Sequence, residues 1–149
     1  MSTVVRSLTP QDRGAWDVLW AGYLRFYATD LDPVVTELTW QRFGDEGEPV
    51  HALGAFDADG RLVGICHHVL HRSTWSSTSY CYLEDLFTVP DARGTGVGRA
   101  LIEATAEAAR GAGADKLYWQ THATNATARA LYDRVARHEG FVVYDRPLG

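Results

Sequence analysis

One stretch constrains this chain more than any other: residues 83–101, LEDLFTVPDARGTGVGRAL. An aromatic and apolar run predicts a strand over residues 80–89, which Pro90 and Asp91 break. A tight basic-glycine turn follows, Arg93-Gly94-Thr95-Gly96-Val97-Gly98, and a helix opens directly through Arg99, Leu101, Ile102 and Ala106. Strand, glycine turn and helix in that order aim several backbone N–H groups and the positive end of a helix dipole at one anion. Glycines matter there because a phosphate reaches a backbone N–H closely only where no Cβ intervenes.

The spacing excludes two common phosphate binders. A nucleotide-hydrolase loop needs Gly-Lys-Ser/Thr, but Gly98 is followed by Arg99 and Ala100. A dinucleotide fingerprint needs its third glycine at position 99, which is Arg.

The rest of the chain alternates strands and helices. Residues 3–7 predict a short strand; Thr9, Pro10 and Asp12 supply the capping side chain, early proline and acid of a helix start. The helix that follows carries Trp16, Leu19, Trp20, Tyr23, Leu24 and Tyr27 at three- and four-residue spacing. Trp16, Leu19 and Trp20 read as core, whereas Tyr23, Phe26 and Tyr27 are candidates to line a pocket. A second helix is expected over residues 34–43, then strands over 50–56 and 61–70 joined by a turn at Asp57-Ala58-Asp59-Gly60. After the central strand and its helix (residues 97–110), Gly111 and Gly113 act as a stop. A strand over 116–121, a helix over 126–138 and a last strand over 141–144 complete the series. The class is α/β with a mixed sheet, in the order β-α-α-β-β-β-α-β-α-β.

At 149 residues the expectation is one domain spanning 1–149. No apolar run approaches the roughly 18 residues of a membrane span, and the N-terminus lacks a signal-peptide pattern, so the expected setting is cytoplasmic. A net charge of −5 without a basic cluster argues against nucleic acid as partner. Cys66 and Cys81 lack metal or redox spacing and read as small hydrophobes. His67, His68 and His71 have no Cys or acid at recognisable ligand spacing, so no metal site is expected.

Arg93, Gly96 and Gly98 fill the pattern Q/R-x-x-G-x-G/A, and the chain resembles the GNAT family of N-acetyltransferases. The run Tyr82-Leu83-Glu84-Asp85-Leu86-Phe87 is similar to the Tyr-Leu-Glu-Asp-Phe-Phe run of the diamine and polyamine acetyltransferases in that family. The tail ALYDRVARHEGF and the aromatic opening helix resemble its histone- and polyamine-acetyltransferase-related branch. The resemblance implies a sheet whose fourth and fifth strands splay apart to admit an acyl thioester, acetyl-CoA as cofactor, a primary amine of a small substrate (a polyamine, a diamine or an amino-acid side chain) as acceptor, and a homodimer. It further implies that Arg93, Gly94, Thr95, Gly96, Val97, Gly98 and Arg99 hold the pyrophosphate. The backbone of Phe87, Thr88 and Val89 would pair with the pantetheine arm, which behaves as a short extended peptide.

Acetyl transfer to an amine requires that the amine lose a proton, because an alkylammonium has no lone pair. In a regular strand Tyr80, Tyr82, Glu84 and Leu86 point one way and Cys81, Leu83, Asp85 and Phe87 the other, so only one of the two acids meets the amine unless a bulge intervenes. The resemblance gives Glu84 the role of base and leaves Asp85 as an amine contact; the alternative for Glu84 is a strand-end carboxylate paired with a cation. N-A-T-A-R-A-L-Y resembles the Asn…Tyr pair of the family's fourth motif, which implies Tyr132 as general acid and Asn125 as a cofactor contact. Their alternatives are a packed helix tyrosine and a helix N-cap. Tyr23, Tyr27, Trp40, Trp75 and Tyr80, with Tyr82, are aromatics able to wall a pocket for an alkylammonium. Protein or peptide N-acetylation, and a non-catalytic acyl-CoA-binding module, are the competing functions.

Overall fold

A computed structural model describes residues 2–149. The chain forms two compact units, one running through Trp119 and one comprising Gln120–Gly149.

The first unit is a five-stranded sheet in the order β1 (Val4–Ser7), β2 (Val50–Phe56), β3 (Leu62–His71), β4 (Ser79–Thr88), β5 (Ala114–Tyr118). Every neighbouring pair is antiparallel except β4 and β5, which run parallel. The β2–β3 turn is held by Asp57, whose Oδ1 accepts from the amides of Asp59 (3.0 Å) and Arg61 (2.9 Å), with Gly60 at φ +80°.

Helices α1 (Arg13–Phe26) and α2 (Pro33–Phe43) cover one face of the sheet, and α3 (Val97–Gly111) covers the other. The contacts of β3 fix this arrangement. His67 meets Trp16 of α1, while Cys66 meets Thr105 of α3 and Gly64 lies against Val97 and Leu101. Both helix starts on the first face are capped by acids. The Thr9 amide donates to Asp12 Oδ2 (2.7 Å) in a 3-10 turn ahead of α1, and Asp32 accepts from the Val34 amide (2.9 Å) behind Pro33.

Pairing of β4 with β5 stops at Tyr82↔Tyr118. Residues 83–88 of β4 therefore have no strand beside them on that edge within the sheet, which is the open edge expected of splayed strands.

The second unit contains α4 (Ala126–Val135) and an extended tail. The strand expected over 141–144 does not form. Phe141, Val142, Val143 and Tyr144 carry the β-branched and aromatic side chains of a strand, but they are 83%, 76%, 66% and 91% exposed. A strand needs a ladder as well as propensity, and this segment enters none. Helix α4 also ends earlier than expected, because Ala136 turns to extended backbone (φ −154°).

Candidate active site

A β-bulge in the central strand organises the site. His67 pairs with Asp85 and His68 with Leu83, so Glu84 is the extra residue on β4. The bulge reverses the alternation downstream of it. Cys81 and Leu83 oppose Leu70 and His68 on the α3 face, whereas Asp85 and Phe87 oppose His67 and Ile65 on the α1/α2 face. Regular alternation would have put all four on one side; the inserted residue instead turns both acids toward one space. Glu84 and Asp85 line the same cavity of about 550 Å³, walled by Trp20, Tyr23, Tyr27 and Phe43, with His67 at its floor and Arg42 also on its lining.

Asp85 is held by a chain of bonds that begins in the core. The indole Nε1–H of Trp16, a residue with no exposed surface, donates to His67 Nε2 at 3.0 Å. An indole only donates, so Nε2 accepts and the ring proton lies on Nδ1. Nδ1–H then donates to Asp85 Oδ2 at 2.8 Å. His67 is 3% exposed and packed by the rings of Trp20 and Phe43 at 5.1 and 4.8 Å between centroids. Burial, and next the Asp85 charge, push the Tyr23 phenol upward. Glu84 has no such fixed partner: loss of hydration in the cavity, then repulsion from Asp85, raises its carboxyl above the ordinary range.

The glycine corner lies at the other end of β4. Gly94 and Gly96 adopt φ +77° and +90°, a region hostile to side chains, and no atom stands within 4 Å of where their Cβ would be. Thr95 Oγ1 ties the turn to the Ala92 carbonyl (2.5 Å). Ala100 makes a helical bond back to Gly96 O, which leaves the amides of Val97, Gly98 and Arg99 as the free first turn of α3. Exposed glycine backbone and unused helix-start amides fit a diphosphate.

Two of the expected pantetheine contacts have their backbone groups turned into the sheet. The Val89 amide donates to Val63 O (2.9 Å) and its carbonyl accepts from Ala92 N (3.0 Å), so its N–H is taken within the sheet. Strand alternation turns Phe87 toward β3 as well and leaves Thr88 facing the open edge, where its carbonyl accepts from Arg93 Nε (3.1 Å). Arg93 thus lies back along the strand, its guanidinium 5.7 Å from the Phe87 ring centre.

Among the aromatics, Tyr23 and Tyr27 line the cavity with the acids. Trp40 packs on Trp16 and Phe43 beneath it, and Trp75 is 88% exposed on the β3–β4 loop. Tyr80 and Tyr82 form a separate cluster with Tyr118 and Lys116. Sequence reasoning did not single out Arg42 or the Trp16–His67 bond. His67 read only as a strand histidine beside a pocket, and nothing local in the sequence pairs residues 51 positions apart.

In the second unit Asn125 caps α4. Its Oδ1 accepts from Ala128 N (3.4 Å) and its Nδ2 donates to Thr121 Oγ1 (3.2 Å). Tyr132 lies in the middle of α4 and is half-buried.

A half-open mixed sheet with a glycine corner at the head of the helix after its central strand is the framework of an acetyltransferase. The acetyltransferase (GNAT) family profile matches residues 14–136. The D-amino-acid N-acetyltransferase HPA3 of Saccharomyces cerevisiae is 35% identical over 144 residues, covering 96% of this chain and 89% of that protein. An aminoglycoside N(6')-acetyltransferase type 1 of Stenotrophomonas maltophilia is 30% identical, covering 86% and 81% of the two chains. Among solved structures, AAC(6')-Iy in complex with the bisubstrate analog CoA-S-monomethyl-acetylneamine superposes with a TM-score of 0.82 at 16% identity, over the full length of both chains. This chain belongs to the acetyltransferase (GNAT) family and is an enzyme of that family. No helix among the described residues is long and apolar enough to cross a membrane.

Proposed function

We propose that the protein moves an acetyl group from acetyl-CoA directly to a primary amine of a small molecule, with Glu84 as the base. The observation that carries this reading is the bulge at Glu84, which presents a carboxyl raised above its ordinary range in an aromatic cavity on the strand that leads to the glycine corner. Acetyl-CoA supplies an activated acyl group on a good leaving thiolate. For their part, Gly94, Gly96 and the free amides of Val97, Gly98 and Arg99 would hold its diphosphate, and the outward face of Thr88 would align the pantetheine arm. Glu84 takes the ammonium proton, directly or through a water. A carboxyl with a raised pKa suits that task, since its carboxylate is a stronger base than an ordinary one and holds the proton it takes more firmly. Asp85, already bonded to His67, orients the amine instead of competing for its proton. Tyr132 is the proton donor to the departing sulfur, a role supported by the resemblance of N-A-T-A-R-A-L-Y. That the two units make one acetyltransferase domain is supported by a family match that runs through both. The resemblance of the tail ALYDRVARHEGF to the polyamine-acetyltransferase-related branch supports a homodimer, which sedimentation of the purified protein checks.

The test is Glu84→Gln measured across pH. Turnover is expected to fall about 10²–10⁴-fold. The gap should be widest on the acid side and close as pH rises, because the free amine then forms without help. The acid limb of the wild-type kcat/KM profile should lie above the ordinary carboxylate range, as burial and Asp85 dictate. Wild-type rates in the variant, or a gap that ignores pH, would remove Glu84 from the role.

A further inference from the structure

The cavity holds one cation as well as two acids. Arg42, from the last turn of α2, lines it together with Glu84 and Asp85. Its guanidinium makes no hydrogen bond to the described residues; its nearest ionic contact is Glu48, at the 4.0 Å limit, and both side chains are more than a third exposed. An ion pair so long and so wet contributes little, so the donor fork of Arg42 is left available on the cavity wall. The acids are unequal. Asp85 is taken up by His67 Nδ1–H, which leaves Glu84 as the carboxylate without a fixed partner.

This charge pattern discriminates among amines. A polyamine brings a second ammonium, which needs a second free carboxylate and would have to share the cavity with a guanidinium. An amino acid brings one amine and one carboxylate, and guanidinium is the side chain whose planar fork matches a carboxylate in two bonds. Tyr23, Tyr27 and Phe43 then offer apolar wall to the part of the substrate between the two charges or beyond them. We propose that the acceptor is an amino acid, its amine directed to Glu84 and its carboxylate bound by Arg42. The inference rests on the acetyl-transfer reading above and narrows it to zwitterionic acceptors.

The experiment compares matched pairs with and without the carboxylate: lysine against cadaverine and phenylalanine, in both enantiomers, against phenethylamine. Thiol release from acetyl-CoA is the readout, in the wild type and in Arg42→Gln and Arg42→Lys. The wild type should prefer the carboxylate-bearing member in kcat/KM. Arg42→Gln should lower that preference by about tenfold to a hundredfold, as expected for loss of a charged hydrogen-bonding partner, mainly through KM. Arg42→Lys should restore part of it. A merely structural role for Arg42 would depress both members of a pair equally, and that result overturns the proposal. So does a wild type that acetylates cadaverine and phenethylamine as well as their parents, a result that leaves acetyl transfer itself standing. A wild type that releases no thiol with any amine overturns both readings at once.

Discussion

The two faces of the sheet solve the burial of a histidine in opposite ways. His67 and His68 are neighbours on β3, 3% and 4% exposed, and they point to opposite sides. On the α1/α2 face both ring nitrogens of His67 are bonded, to Trp16 and Asp85. On the α3 face His68 stacks on His51 at 5.1 Å, and its Nδ1 is buried without a partner. The first face spends polar bonds to hold an acid in place at the edge of a cavity. The second is built for close packing, with Leu101 and Thr105 fully buried and Gly64 allowing α3 to approach the strand. A site needs the first kind of surface; a stable sheet needs the second.

Breaking the bonded histidine should have the largest effect. Leucine at position 67 strands the fully buried Trp16 indole N–H and frees Asp85 to rotate. Together these should cost about 2–4 kcal/mol of stability, measured by denaturant unfolding. Turnover should fall as well, and the acid limb of the pH profile should move, since the charge of Asp85, no longer held by His67, sets part of the rise in the Glu84 pKa. Loss of stability with an unmoved profile would mean that the bond to Asp85 serves packing alone.

Next in size is the tightly packed face. A Cβ on Gly64 would lie 2.7 Å from Val97 Cγ1, 3.0 Å from Leu101 Cδ1 and 3.4 Å from the Phe87 carbonyl. Gly64→Ala should therefore push α3 off the strand and cost about 1–3 kcal/mol. Because Val97 opens α3 immediately after Gly96, the KM for acetyl-CoA should rise more than that for the amine. Equal changes in both would show that the helix start does not bear on the cofactor.

These two faces also separate what the sequence discloses from what it hides. The glycine corner is local: Pro90, Gly94 and Gly96 determine the backbone within a few residues, and the expected positions of β2, α2 and the start of α3 follow the same local signals to within a residue. The acid cavity is not local. Period-two alternation places Asp85 on the face of Cys81, and one unpaired residue, Glu84, overturns it. The Trp16–His67–Asp85 chain joins three elements that no spacing rule connects. The tail fails for a related reason. Phe141, Val142 and Val143 have strand composition, but a strand is a property of two segments, and the sequence of one does not supply the other. Asn125 shows the converse case: the N-cap alternative to its cofactor role rests on neighbours within three residues, and the structure displays that cap.

The smallest effect lies with the unbonded histidine. Burial first, and then the neighbouring His51 and His67, hold the His68 pKa down to about 4. In the unfolded chain the ring takes up a proton near 6.5, whereas the folded protein resists it until about 4, so across that window acid favours unfolding. Between pH 7 and pH 5.5 the expected loss is roughly 1 kcal/mol, visible as a fall in Tm of the wild type. Leucine at position 68 has no proton to take up and leaves no orphaned nitrogen, so it should flatten that part of the stability curve while changing stability little at pH 7. The difference between the two curves isolates His68 from the other groups that titrate in the same range. A His68→Leu curve parallel to the wild type would show that the buried ring gains a proton without unfolding, and the contrast between the two faces would then be one of packing and not of charge.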